Sequence, residues 1–193
     1  MDFGTIASNI TTRLNRPDKL DDAYEAINDA VAYCTANGDF ANDIVESEVT
    51  VSATVYTQSI VISTSFTRFR KVKYLRPEGF NRYLKWQDPS RIFDDKDQEC
   101  TDVWYRAGDN LVIKTSSYVD NILYGIYQYP LRMSADADTH WMLDQIYPAI
   151  FNLAASDLWE SIGNDSEAAR YKRKGEEFFI SFRRDFADGV AHS

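Results

Sequence analysis

The chain has 193 residues, of which 44% are hydrophobic and 14% aromatic, enough to bury the core of one domain or of one domain with an elaboration. Its formal net charge of -9 argues against sequence-specific binding to duplex DNA, because an acidic surface does not neutralise phosphates. No run approaches the roughly 20 apolar residues of a membrane helix, and Cys34 and Cys100 form no CxxC pair, which predicts free thiols or no redox role.

Two helices are predicted over residues 1–40. Apolar residues of the first recur at helical spacing until the turn sequence "NRPD", at Phe3, Ile6, Ile10 and Leu14. The second is predicted to begin at Asp18 or Lys19 and to end at Asn37 and Gly38, where "NG" is a good helix stop. Its apolar stripe consists of Leu20, Tyr24, Ile27 and Val31. The short connection predicts that the two helices are antiparallel.

Residues 41–132 have a different pattern, with short β-branched or aromatic runs separated by turn residues. The runs are "SEVTVSATV", "SIVIS", "FRKVKYL", "NRYLKWQ", "DVWYRAG", "NLVIKTSS" and "NILYGIYQYP". In the first run, one face is predicted to carry Val49, Val51, Ala53 and Val55. The turn "AGDN", Ala107 to Asn110, predicts a hairpin. We therefore predict an antiparallel sheet or a small sandwich. The acidic segment at 86–101 interrupts it, and we predict that this segment forms a short helix and an exposed loop.

Helical spacing returns after Pro130. The polar linker "SADADT" offers Asp138 and Thr139 as N-cap candidates. The helix that follows is predicted to stop at Gly163, and its stripe consists of Ile146, Ile150, Leu153, Ala154 and Leu158. Proline disfavours helical geometry in the residue before it but is tolerated in a first helical turn. A short turn is therefore expected before Pro148, and the main helix is expected to start or kink there.

A last helix is predicted from Asp165 or Ser166, followed by "DGVAHS" as a frayed tail. One face stays apolar for about five turns, with Ala168, Tyr171, Gly175, Phe178, Phe179, Phe182 and Phe186. We interpret this face as core, although part of it near the tail could instead dock onto a partner.

Two helix pairs on either side of a strand-rich segment predict an α+β fold. The expected architecture is a four-helix bundle formed by the N-terminal pair (1–40) and the C-terminal pair (133–193). The segment 41–132 is expected to be an inserted antiparallel sheet or sandwich lobe, and the whole to be one composite domain.

The sequence contains no standard nucleotide-binding or hydrolase motif. A histidine-dependent site would have to use His140, since His192 lies in the predicted tail. "DADTH" resembles a metal cluster, but capping of a helix explains its acids better because no second histidine supports a metal site, and "DDKDQE" lacks the glycine and distal glutamate of a calcium loop. We therefore predict no catalytic, metal or cofactor site. A hydrolase using His140 and nearby acids, or a soluble protein-binding module, remain as alternatives.

A basic run in the predicted sheet consists of Arg68, Arg70, Lys71 and Lys73. Such a run is either an ordinary polar face, with charges that protect a sheet edge, or an interface to an acidic neighbour. The acidic neighbour that the sequence offers is the loop with Asp94, Asp95 and Asp97.

The order of these pieces resembles that of the adaptor, or head-to-tail connector, proteins of tailed bacteriophages. The similarity is to podovirus-type adaptors, and more distantly to T7-type tail tubular protein A and the P22-type tail accessory factor. Family motifs around the C-terminal helices are matched by Trp141, Met142, Leu143, Pro148, Asn164, Asp165, Ala168, Ala169 and Tyr171. The family's strand pair is matched by Tyr105, Asp109, Leu111, Ile113, Leu123, Tyr124, Tyr127 and Tyr129. One departure is "ISTSFTRFRKV", which lacks the proline turn common at that place in the family.

The resemblance implies a structural virion protein of the neck, assembled in the host cytoplasm. It implies a ring, usually of twelve copies, beneath the portal, with the sheet lobe towards the tail or nozzle protein and tail fibres as a further possible partner. DNA would pass through the channel without sequence-specific binding, and an acidic lumen suits that passage. The C-terminal segment would reach the portal, which makes its contact candidates Phe182, Phe186, Asp188, Val190 and His192. Within the ring, the basic strand would face the acidic loop of a neighbour, for example Arg70 against Asp95.

Overall fold

A computed structural model describes residues 1–52, 54, 56–89 and 101–190, without the side chains of 186–190. The chain is α+β, as predicted, and divides into two compact units. One consists of Met1–Asn42 and Pro130–Ser193, and the other of Asp43–Tyr129. No helix among the described residues combines the length and the apolar character needed to cross a membrane.

The first unit is helical. In chain order, its helices are α1 (Phe3–Arg13), α2 (Leu20–Asn37), α4 (Trp141–Gln145), α5 (Tyr147–Ser161) and α6 (Asp165–Val190), whereas α3 (Ile62–Ser65) lies in the second unit. Asp2 caps α1, because its carboxylate accepts a hydrogen bond from the backbone N–H of Thr5 at 2.7 Å. Hydrogen bonding to the Thr5 side chain, followed by that to its backbone N–H, lowers the pKa of Asp2. A 3₁₀ turn at Pro17–Lys19 leads into α2, so the "NRPD" break is confirmed and α2 starts just after the predicted residues.

One apolar core holds the helical unit together. α1 packs against α2, α2 against α5, and α5 against α6. The predicted stripes of the first three long helices are buried except at Leu20 and Tyr24, which are partly buried. Fully buried residues of this core include Ile6, Ile10, Ile27, Met142, Leu143 and Ile150. Each such side chain contributes roughly 1.5–3 kcal/mol by leaving water, so this core is the main source of the unit's stability.

The elbow between α4 and α5 is confirmed. α4 ends at Gln145, and α5 begins at Tyr147 with Pro148 in its first turn. The predicted end of α6 is wrong in part, because the helix continues through Asp188 to Val190 instead of ending at a frayed tail. The predicted face of α6 is also wrong at Phe178, which is 49% exposed, whereas its neighbour Phe179 is 3% exposed.

The second unit contains two sheets. Its described strands are β1 (Ile44–Thr50), β2 (Thr57–Val61), β3 (Phe69–Pro77), β4 (Lys85–Trp86), β5 (Val103–Ala107), β6 (Asn110–Lys114) and β7 (Asn121–Gln128). The first sheet has the antiparallel order β1–β7–β3, and the second has the order β2–β6–β5–β4, in which β4 is parallel to β5. The predicted hairpin joins β5 to β6, with Ala107 opposite Asn110.

The first strand lies earlier in the chain than predicted. β1 starts at Ile44 and ends at Thr50, and Val51 then donates a backbone hydrogen bond to Asp120 at 2.8 Å. Val49 and Val51 do pack against the core of this unit. The predicted Ala53 and Val55 lie outside the described residues.

A buried carboxylate, Asp102, lies directly before β5 of the second sheet. Asp102 is 5% exposed and has a left-handed backbone, with φ of 61°. It accepts hydrogen bonds from the N–H and the hydroxyl of Ser116, both at 2.9 Å, and from Arg82. Burial alone would raise the pKa of Asp102, but these hydrogen bonds outweigh it and lower the pKa.

Tyr74 lies across the outer face of the three-stranded sheet, over Gly125 of the central strand. A Cβ atom on Gly125 would lie 2.5 Å from the Tyr74 ring, so a glycine is needed for this approach. The Tyr74 hydroxyl donates to Glu46 of β1 at 2.8 Å. Burial, followed by this hydrogen bond, raises the pKa of Tyr74 to about 12. The ring thus spans all three strands from β3 to β1.

We predict that Gly125→Ala destabilises the sheet unit by about 1–3 kcal/mol, because the new methyl group must displace the Tyr74 ring. Urea unfolding of the full chain measures the loss. The matched control repeats the substitution in a Tyr74→Ala background, where the cost should largely disappear. An equal cost in both backgrounds would show that the ring contact is not the reason for glycine.

Candidate functional site

The predicted basic run lies at the start of β3, on the outer side of the three-stranded sheet. Arg68 precedes the strand in a left-handed conformation, with φ of 50°. Its guanidinium donates to the carbonyl oxygen of Tyr129 at 3.0 Å and to the side-chain oxygen of Gln128 at 3.2 Å. Arg68 therefore fixes the end of β7 to the turn before β3, which is a structural role.

Arg70 and Lys71 both lie over the ring of Tyr127. The distances to the ring centroid are 5.1 Å from the Arg70 guanidinium carbon and 5.2 Å from the Lys71 nitrogen, within the range of cation–π contacts. Two consecutive residues reach one ring because β3 shifts register relative to β7 between Phe69 and Lys71. A second shift, between Val72 and Tyr74, leaves Lys73 exposed as well.

The acidic side of the predicted interface, Asp94, Asp95 and Asp97, lies outside the described residues. The pairing of the basic strand with this loop therefore remains a prediction. The structure instead reveals acids that the sequence reasoning overlooked, Glu46 and Glu48 on β1, both exposed. The alternation in "VESEV" was the available signal, because two glutamates at spacing two lie on one face of a strand.

The outer face of this sheet is divided by charge. Glu48 of β1 and Arg76 of β3 lie opposite the same residue of β7, Leu123. Glu46 and Tyr74 share the next position, Gly125. One outer strand therefore presents carboxylates and the other presents cations, with β7 between them.

A second surface lies on the helical unit, where α6 passes the elbow between α4 and α5. Ile146, Pro148 and Ala149 line one side of a groove of about 210 Å³, and Phe178 and Phe182 line the other. Gln145, Ser181 and Asp185 complete the lining, so the groove is mainly apolar with polar groups beside the apolar ones. The Phe182 ring also packs on Phe40, with centroids 5.9 Å apart. Phe178, which is half exposed, makes this groove accessible to a partner.

Among the predicted portal contacts, only Phe182 has a described side chain, and it lines this groove. The backbone of α6 carries Phe186, Asp188 and Val190 beyond the groove, but their side chains lie outside the described part of the chain. His192 lies outside it entirely. Sequence periodicity alone placed Phe178 in the core, so it did not reveal the groove.

His140 is a helix cap. Its ring Nδ1 accepts a hydrogen bond from the backbone N–H of Met142 at 3.3 Å, which satisfies a free donor at the start of α4. The prediction of Asp138 or Thr139 as the cap is wrong, since the Asp138 carboxylate accepts from the N–H groups of Ser134 and Ala135, at 2.7 and 2.8 Å. In the part of the chain that the structure describes, no three metal-binding side chains come together.

A small cavity of about 260 Å³ between α2, α5 and α6 was not predicted. Asp29, Asp157 and Lys172 lie around it, together with Tyr33. Partial removal from water raises the pKa of Asp157, and the nearby Asp29 carboxylate adds to this effect. The hydroxyl of Ser156 is not available as a nucleophile there, because it is buried and donates to the carbonyl oxygen of Ala168 at 2.9 Å.

Comparison with models of known protein families finds none that matches the chain. Comparison with curated proteins gives no match either. Two surfaces of the described part of the chain can bind a partner, the apolar groove of the helical unit and the charged outer face of the three-stranded sheet.

We predict that Phe178→Ser changes the free energy of unfolding by less than about 1 kcal/mol, because half of the side chain is already in water. The adjacent control, Phe179→Ala, removes a buried ring and should cost about 3–5 kcal/mol. Chemical denaturation of both variants measures the difference. A large loss from Phe178→Ser would mean that this ring belongs to the core and that the groove is not a free surface.

Proposed function

We propose that the chain is a structural virion protein, an adaptor whose copies form a ring between the portal and the tail. The observation that carries the proposal is the apolar groove at Phe178 and Phe182. It lies on the C-terminal helix, the segment that the resemblance to phage adaptors assigns to the portal contact. Phe178, half exposed, extends the apolar lining of the groove into a contiguous apolar surface, which supports the proposal because such a surface can be covered by a partner.

In this proposal the helix pairs act as a four-helix bundle with the sheet unit inserted between them in the chain. The shared core supports this arrangement, because buried residues of α1, α2, α5 and α6 belong to a single cluster. A rigid helical unit is suited to carry load between two large assemblies, since its helices cannot separate without exposing that core.

The proposed partners are the portal above the ring, the tail or nozzle protein below it, other copies of the chain, and tail fibres. The protein would act in the virion neck after assembly in the host cytoplasm, and it would not catalyse a reaction. DNA would pass through the ring without specific binding, which a net charge of -9 favours.

The groove equally favours a second candidate, a soluble protein-binding module outside a virion. A hydrolase based on His140 is less well supported, because its Nδ1 already accepts the Met142 amide. The two binding functions predict different assemblies. An adaptor forms a closed ring on the portal, whereas a module binds one partner in a fixed small ratio.

We predict that the chain, mixed with the portal protein of its proposed phage, forms a closed ring on the portal that electron microscopy and native mass spectrometry detect. Phe178→Asp should weaken portal binding about 10–100-fold, because a buried phenylalanine contributes roughly 1.5–3 kcal/mol. The matched control is Ile180→Asp, which places the same charge at an exposed position (63%) two residues away along the helix.

The control variant should bind the portal like the natural chain. Absence of ring density on the portal with the natural chain would overturn the adaptor proposal. Equal weakening by both variants would show that the groove is not the portal contact.

A further inference from the structure

We infer that the two outer strands of the three-stranded sheet form the contact between neighbouring copies in the ring. The acidic strand β1 of one copy would lie beside the basic strand β3 of the next. This inference deepens the proposed adaptor function, on which the closed ring depends, and the occupant to which it commits is a second copy of this chain.

Each of the two edge strands carries charges of one sign only. β1, "IVESEVT", carries Glu46 and Glu48 and no cation. β3, "FRKVKYLRP", carries Arg70, Lys71, Lys73 and Arg76 and no acid. Their positions on the sheet match, since Glu48 and Arg76 both lie opposite Leu123 of β7.

Several of these charges are available to a partner. Glu48, Lys73 and Arg76 are exposed, and they make no ion pair within the described residues. β1 is exposed continuously from Val45 to Glu48, on both of its faces. β1 is also an edge strand. The backbone groups on the side facing away from β7 are therefore not paired with another described strand of the sheet.

Protection of the edges against aggregation does not explain this pattern. Charges of the same sign on both edges would repel any second copy. Here the edges have opposite signs, so each edge repels its own kind but attracts the other edge of another molecule. The arrangement therefore favours one particular association, β1 to β3, over β1 to β1 or β3 to β3.

The strand directions fit a repeated contact. β1 and β3 are both antiparallel to β7 and are therefore parallel to each other. They lie on opposite sides of β7, so a neighbour shifted sideways has its β1 parallel to β3. At the far edge of β3 the carbonyl oxygen of Leu75 already accepts a hydrogen bond from the N–H of Leu84 at 2.8 Å, so the contact there is made by the exposed charged side chains and not by backbone pairing. A contact between two different edges is heterologous, and its repetition gives a closed ring when the rotation between copies closes.

The test uses two single variants, Arg76→Glu and Glu48→Arg, assembled on the portal protein and measured by native mass spectrometry and electron microscopy. Each variant alone places like charges at the contact, so ring formation should weaken roughly tenfold or more. Mixed in equal amounts, the two variants should assemble alternately and restore rings, because every contact then joins opposite charges. An even number of copies, such as twelve, allows this alternation to close.

The matched control is Glu160→Arg, an exposed reversal on the helical unit, which should assemble normally and should not rescue Arg76→Glu. Failure of the mixed variants to restore rings would overturn the β1–β3 contact. Rescue of Arg76→Glu by Asp95→Arg in place of Glu48→Arg would overturn it in favour of the acidic loop. Dimers as the only product would also overturn it, because they would show a two-fold contact.

Failure of the adaptor function would appear differently. If the natural chain did not bind the portal but the mixed variants restored rings in solution, the result would support the β1–β3 contact and contradict the adaptor function. If the natural chain formed rings on the portal and both charge variants did so equally, only the β1–β3 contact would fall.

Discussion

The close approach of α5 and α6 determines which surfaces the helical unit leaves exposed. A Cβ atom on Gly175 of α6 would lie 2.8 Å from the Leu153 side chain of α5, so the two helices touch where one of them has no side chain. This contact sets the rotation of α6 about its axis. Phe179, one turn further on, then points into the core, and Phe178, about 100° away around the helix, is directed to the rim of the groove.

Much of the fold follows from periodicity and turn residues. The stripes of α1, α2 and α5, the hairpin at Ala107 to Asn110 and the elbow at Pro148 were all predictable, because each depends on residues adjacent in sequence. The strands of the second unit were also recognisable as short β-branched runs. Their division into two sheets was not, since pairing of β1 with β7 joins segments more than seventy residues apart.

The candidate surfaces were harder to predict than the fold. Phe178 and Phe179 are the same residue type, and the packing of α6, including the close contact at Gly175, places Phe179 and not Phe178 in the core. The cap of α4 is His140 because Asp138 is already engaged by two backbone N–H groups of the linker. The sequence did not identify β1 as an acidic strand opposite the basic one. Glu46 and Glu48 lie across the sheet from the cations of β3 only because both strands pair with β7, and this pairing is not visible in the sequence.

The proposed adaptor function requires separate surfaces for different neighbours. The groove is apolar and suits a permanent contact with a large partner, whereas the outer strands are charged and suit contacts whose direction and register matter. The two surfaces belong to different units of the chain, so each can be altered without disturbing the core of the other unit. This separation makes the adaptor account open to dissection by substitution.

The central claim is that copies of this chain form the ring beneath the portal. Symmetry-resolved electron cryomicroscopy of the phage neck to which we assign this chain tests it most directly. The account predicts a ring of this chain in contact with the portal, with β1 of each copy beside β3 of the next. A neck in which a different protein occupies the position under the portal would contradict it.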